Sequence, residues 1–263
     1  MTRMIKVGIA QISFNEKLGK AKIEQVLPRL EDWISNNDLD ILVLPELWAS
    51  SSHNAKLIER NIMDSKLIRA EFEPVLAVSK THCFIGSFPL KDGQVVRNSV
   101  LFRSQLGIWR DDLYKAIPFG FGLGESSLIM GSKEAGIADL EFAKAQVLIC
   151  FDLRFPELSR QPNILPEIII VVASWPKKRI AHWRKLIMAR AIENQAWVIA
   201  CNSTGFDQGI EMGGNSSIVN PSGEIIVGAD EEETFIIANI DLDDVATIRK
   251  TFPALGLRPG VKW

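Results

Sequence analysis

The sequence predicts a layered α/β fold built around a mixed sheet. Three observations carry that prediction. Short, nearly continuous apolar runs recur along the chain, as expected of strands covered on both faces. Stretches of helical periodicity separate them. Turn signals then fold the strand-like segments at 83–114 and 216–240 into hairpins. Those hairpins break the strict alternation of the main rival, a β/α barrel.

In chain order, residues 5–13 (IKVGIAQIS) are apolar and β-branched, a buried strand. Residues 20–36 read as a helix with Ile23, Val26, Leu27, Leu30 and Ile34 on one side and Pro28 inside it. Residues 39–44 (LDILVL) form a short covered strand that ends at Pro45. Residues 65–80 are helical, with Pro74 as a flaw. Strands at 83–88, 95–103 and 107–114 follow, separated by Lys91-Asp92-Gly93 and by the turn at 104–107. The second half repeats the theme: a strand at 146–151 (QVLICF), a short helix at 155–161, a strand at 167–173 (EIIIVVA), a helix at 179–194 and a strand at 197–201. Strands at 216–219, 224–227 and 234–240 end the pattern, and the acidic run 230–233 reads as a solvated turn.

No Gly/Ser/Pro-rich linker and no repeat divides the 263 residues, so 1–263 is expected to form a single domain. Hydrophobic residues make up 47% and charged residues 24%, which excludes a disordered, collagen-like or coiled-coil chain. A formal charge of -2 provides no broad basic field, so nucleic acid is not an expected partner. Three cysteines cannot build a disulfide framework, and three histidines leave little for metal chemistry. The N-terminus lacks the apolar core of a signal peptide, and no run approaches the ~18 apolar residues of a membrane span. A cytoplasmic enzyme, without membrane contact, is the expectation.

The Gly120-Phe121-Gly122-Leu123-Gly124-Glu125 segment puts Glu125 where a dinucleotide fingerprint needs its third glycine, so it reads as a loop. Phosphate-loop, zinc-protease and serine-elbow motifs are missing. Cys150 closes the run Val147-Leu148-Ile149 just before a turn and short helix. Such a place exposes a side chain to free backbone N–H groups, which favours a thiolate. Read alone, it has the usual fate of a free cysteine, a small buried apolar residue. Cys83 and Cys201 lie inside apolar strand patterns and read as core. His53 and His82 lie in polar, loop-like contexts, and His182 lies near a helix start. A carboxylate can replace histidine as base, and Glu46 follows a buried strand at its carboxyl end, where α/β sheets collect ligand-binding residues. Lys115 closes another strand. Alone, these two read as a solvated glutamate and a surface lysine.

Taken in order, the pieces resemble the nitrilase superfamily of carbon–nitrogen hydrolases. The match includes Val7-Gly8-Ile9-Ala10-Gln11, Leu44-Pro45-Glu46, Lys115, and Ile149-Cys150-Phe151-Asp152-Leu153-Arg154-Phe155-Pro156-Glu157. It continues through Ala173-Ser174-Trp175-Pro176, His182-Trp183, Ala189-Arg190-Ala191-Ile192-Glu193-Asn194-Gln195 and Gly214-Asn215-Ser216-Ser217 to Asn220-Pro221-Ser222-Gly223. The resemblance implies a four-layer αββα sandwich. It also implies a Glu–Lys–Cys triad at Glu46, Lys115 and Cys150, with Glu125, ahead of Gly131, as a second glutamate. The chain departs from the family at Ile117, where a histidine is usual, and at Phe151, where tyrosine is common.

The resemblance further implies amide hydrolysis through a cysteine thioester, with water and a small amide as the reactants and neither metal nor organic cofactor. The Phe151 N–H would help bind the oxyanion. The stretch around Trp175 and Arg179 looks most like the omega-amidase branch, which acts on carboxylated amides such as 2-oxoglutaramate. Arg154, Arg179, Lys177 and Lys178 are candidates to meet the substrate carboxylate. A deaminated-glutathione or N-carbamoyl amidase is the alternative, a nitrilase a more distant one, and a catalytically silent dimer scaffold the reading from another class. Family members form homodimers or larger homo-oligomers, and the helix at 179–194, with Trp183, Ile187 and Ala191 along one side, is a candidate contact.

Overall fold

The apolar runs become the parallel centres of two separate sheets. The structure is a computed structural model that describes residues 3–120, 125–161 and 165–257. The first half runs β1 (Met4–Gln11), β2 (Ser13–Phe14), α1 (Lys20–Ser35), β3 (Ile41–Val43), α2 (Ala55–Arg60) and α3 (Ser65–Leu76). It then folds into the meander β4 (His82–Asp92), β5 (Val95–Arg103) and β6 (Trp109–Tyr114). The second half runs β7 (Gly136–Asp139), β8 (Lys144–Ile149), α4 (Pro156–Ser159), β9 (Ile168–Ala173), α5 (Ile180–Asn194) and β10 (Trp197–Asn202). It ends with β11 (Thr204–Asp207), β12 (Ile210–Glu211), β13 (Ser217–Val219), β14 (Ile225–Gly228), β15 (Thr234–Asp241) and α6 (Asp243–Thr251).

One sheet has the order β15-β1-β3-β4-β5-β6, the other β14-β13-β10-β9-β8-β7, and a small third one is β12-β11-β2. Strands β1, β3 and β4 pair in parallel, as do β8, β9 and β10; hairpin strands flank both trios. The strand pattern alone suggests one mixed sheet; the αββα sandwich that the resemblance implies has two, and two are found. The barrel is excluded.

Side-chain alternation shows why the central strands are apolar at every position. Ile41 and Val43 of β3, and Ile168, Ile170 and Val172 of β9, meet between the sheets in one core. Leu42 and Leu44 turn the other way, onto Ile23, Val26, Leu30 and Ile34 of α1 and Phe72 of α3. Ile169, Val171 and Ala173 likewise turn onto Trp183, Ile187 and Ala191 of α5. Three cores between four layers make the αββα sandwich. The Trp183–Ile187–Ala191 side of α5 is thus occupied by its own sheet.

Several local expectations change. His82 is not in a loop: it opens β4, is fully buried, and stacks parallel to Phe102 at 6.0 Å between ring centroids. The predicted strand at 146–151 stops at Ile149, because Cys150 turns to φ +48. Helix α3 ends at Leu76 rather than at residue 80. Helices α2 and α6 and the strands β7, β11 and β12 were not expected. The glycine-rich segment at 121–124 lies outside the described residues. Among the described residues, no helix is long and apolar enough to cross a membrane.

Candidate active site

Glu46, Lys115 and Cys150 follow the carboxyl ends of β3, β6 and β8. Glu46 is held by a kink in β4. There Leu47 N–H donates to Ser87 O at 3.0 Å, and Gly86 takes φ +82. A Cβ on Gly86 would stand 2.2 Å from Pro45 O, so only glycine lets β4 approach the strand that presents Glu46. Lys115 is anchored by its own N–H, which donates to Asn98 O at 2.8 Å. Cys150 begins a 3-10 turn, Cys150–Arg154.

Asp152 ties two of these ends together. Its carboxylate accepts from Ile149 N at 3.1 Å beside Cys150, and from Ala116 N at 3.2 Å and Ile117 N at 2.9 Å beside Lys115. The residue that replaces the family histidine thus contributes its backbone to the clamp. Burial pushes the Asp152 carboxyl up to about 6, against the pull of Lys115 and these donors.

The structure brings the three predicted residues and Glu125 into one buried cluster. Lys115 Nζ donates to Glu46 Oε1 at 2.7 Å and also to Glu125 Oε2. The side chains of Glu46, Lys115 and Glu125 are at most 2% exposed, so neither Glu46 nor Lys115 is a solvated surface residue. Burial works against the Lys115 ammonium, but the carboxylates of Glu125 and Glu46 outweigh it and hold its pKa well above the usual value. Glu46 Oε2 accepts from Ser174 N at 2.9 Å, and Ser174 Oγ donates to Glu46 O at 2.7 Å. Glu46, from the first sheet, is thereby fastened to the loop after β9 in the second.

Cys150 lines the same pocket as Glu46 and Lys115. Burial first, then the Glu46 charge, push its pKa well above the usual thiol range, while Lys115 opposes them. The expectation that this turn favours a thiolate is therefore corrected: the negative charge of Glu46 and the lack of solvent outweigh the turn's N–H groups. A protonated nucleophile with a carboxylate beside it is the arrangement for base-assisted attack.

The pocket above the cluster has walls from Phe119, Phe151, Trp175, Arg154 and Arg179. Arg154 stacks on Trp175 at 4.5 Å, and Arg179 lies over Phe119 at 5.9 Å. Arg154 also meets His182 Nδ1 at 3.5 Å. Among the described residues neither arginine has a carboxylate partner. Lys177 is spent elsewhere: it pairs with Glu211 at 2.8 Å and Glu231 at 2.7 Å. Lys178 is exposed and does not line the pocket. Among the described residues, no cluster of side chains fits a metal ion.

Sequence reasoning missed Asn98, Ser174 and His53. Asn98 Nδ2 bridges Glu46 Oε1 at 3.0 Å and Glu125 Oε1 at 2.5 Å. Its signal was available, since Asn98 and Ser99 are fully buried polar residues between the apolar pairs Val95-Val96 and Val100-Leu101 of one strand. His53 stays in its loop, but that loop lines the pocket.

The carbon-nitrogen hydrolase family model matches residues 6–250. The chain is 34% identical over 271 residues to a 2-oxoglutaramate amidase of Paenarthrobacter nicotinovorans, covering 98% of this chain and 91% of that protein. A 2-oxoglutaramate amidase of Bacillus subtilis is 33% identical over 215 residues, covering 81% and 83%. The fold matches the crystal structure of a CN-hydrolase superfamily protein from Xanthomonas campestris. The TM-score is 0.89 at 22% identity, with 99% of both chains covered.

Proposed function

The chain belongs to the carbon–nitrogen hydrolase family and acts on amides, and from that premise we propose that it is an omega-amidase-like enzyme using Cys150 as nucleophile. The observation that carries this assignment is the buried ion pair of Glu46 and Lys115 in the pocket that Cys150 also lines.

Cys150 Sγ attacks the amide carbon as Glu46 takes the thiol proton. The carbonyl π bond opens to an oxyanion, which the Lys115 ammonium and the Phe151 N–H stabilise. The C–N bond then breaks, and Glu46 returns the proton to the leaving ammonia. Water attacks the thioester while Glu46 accepts its proton. The C–S bond breaks, and Glu46 reprotonates Cys150. Net, amide and water become carboxylic acid and ammonia. Glu125 and Asn98 hold Lys115 and Glu46 in register. Arg154 and Arg179, two cations in the pocket wall without carboxylate partners among the described residues, suit a substrate with a terminal carboxylate such as 2-oxoglutaramate. They favour this class over nitriles or uncharged amides.

Cys150→Ala is expected to abolish ammonia release. Glu46→Gln is expected to keep the fold and lose turnover. A thioester adduct on Cys150 should be visible by mass spectrometry during turnover of the wild type. Wild-type rates in either variant would refute the assignment. A catalytically silent scaffold would show no substrate-protected alkylation of Cys150 by iodoacetamide.

A further inference from the structure

The two arginines of the pocket wall are held by rings rather than by carboxylates. The indole face of Trp175 carries the Arg154 guanidinium, 4.5 Å from the ring centroid, and the ring of Phe119 carries that of Arg179 at 5.9 Å. Trp175 reaches Arg179 as well, because its Nε1 donates to Arg179 O at 2.9 Å. One side chain therefore touches both residues: its face takes the charge of one, its edge the backbone of the other.

The place of this indole is itself fixed. Trp175 follows β9 and is 2% exposed. Its backbone N–H donates to Asn202 Oδ1 at 2.6 Å, and its carbonyl accepts from Asn202 Nδ2 at 3.2 Å and from Gly213 N at 2.9 Å. Asn202 is the last residue of β10, is fully buried, and also donates from Nδ2 to Gly214 O at 2.7 Å. The ring packs against Trp183 of α5, at 5.8 Å between centroids.

The arrangement gathers like charges. Burial first, then the charge of Arg179, hold the Arg154 guanidinium below its usual pKa. A carboxylate in the wall would relieve that repulsion, but it would also occupy the guanidinium N–H groups. A ring face attracts a cation without taking those donors, so they stay open to the anion of a ligand. Arg154 Nη1 and Nη2 also lie 3.5 Å from His182 Nδ1, at the limit of hydrogen bonding.

We propose that Trp175 is a positioning residue for substrate specificity: it sets Arg154 and Arg179 as one anion site that selects amides ending in a carboxylate. This inference rests on the amidase reading and on these two arginines meeting the substrate carboxylate. It puts the selectivity under the control of an uncharged side chain that acts through its neighbours.

The test compares ammonia release by the full chain from glutaramate and from pentanamide, which has a methyl group in place of the carboxylate. In the wild type, kcat/KM should favour glutaramate. Trp175→Leu, which removes both the ring face and the indole N–H, is expected to lower that preference about 10- to 100-fold, through KM for glutaramate. Trp175→Phe, which keeps a ring face and loses the N–H, should lower it only about 2- to 10-fold, and it carries the test if Trp175→Leu does not fold. Glutarate, the product, should protect Cys150 from iodoacetamide in the wild type, with half-protection at a correspondingly higher concentration in the variants. A wild type without preference for glutaramate, equal losses on the two amides, or unchanged half-protection by glutarate would overturn the inference and leave the amidase reading standing. Wild-type enzyme that releases ammonia from neither amide would overturn that reading and this inference with it.

Discussion

At Lys115, burial alone would strip the proton from the ammonium, yet Glu125 and Glu46 stand against it and keep it charged. The reverse dependence is as strong, because both carboxylates are buried and share this one cation. Lys115→Met is therefore expected to act twice. Loss of the oxyanion donor should lower kcat by ~10²–10³-fold or more. Leaving two carboxylates without their cation should destabilise the fold by about 3–5 kcal/mol. Urea unfolding at pH 7 checks the second effect, and an unchanged midpoint would mean that Lys115 does not neutralise this pair. At this scale the sequence named the proposed reacting residues but not their supports. Glu46, Lys115 and Cys150 betray themselves by type and by place at a strand end. Asn98 and Ser174 are ordinary residues whose role exists only through what reaches them across the fold.

Among the elements, the 3-10 turn after β8 carries the most chemistry, and Asp152 joins it to the end of β6. The Asp152 carboxyl is raised from 3.8 to about 6, chiefly by burial. Its stabilising contribution is consequently complete below pH 3.8 and is lost as the pH rises through about 6, a change of about 3 kcal/mol. Asp152→Asn should remove that slope. Unfolding free energies of wild type and variant, measured from pH 4 to pH 7, should differ by an amount that shifts by up to ~3 kcal/mol against the wild type as the pH rises. Parallel curves would show that Asp152 does not titrate in this range. The elements that escaped prediction share a cause. Helix α2 is six residues long and buries only Ile58, and α6 buries only Val245, so neither shows an apolar period. The acidic first turn and basic last turn of α6, Asp243-Asp244 and Arg249-Lys250, were its remaining signal.

The whole molecule places its chemistry where two sheets meet, and its stability between them. Ile170 sits at the centre of β9, paired in register with Val147 and Ile199, and is fully buried. Ile170→Ala is expected to cost about 2–5 kcal/mol in urea unfolding while activity per folded molecule stays near wild type. A large loss of activity at full folding would mean that the intersheet core also tunes the pocket. By itself, the sequence determined the covered strands, the main helices, the family resemblance and the candidate reacting residues, because each leaves a local mark in pattern or residue type. The strand pattern did not divide the strands into two sheets, since a doubly covered strand has the same apolar run in either arrangement; the resemblance implied that division, and the tertiary structure shows which strands join which sheet. It also decided that Glu46 stands beside Cys150 and pushes its thiol pKa up, that Lys177 pairs with Glu211 and Glu231 and that His53 lines the pocket. Charge state and orientation depend on groups far apart in sequence, such as Glu46 with Cys150 and Asp207 with His53, and no local pattern encodes those distances.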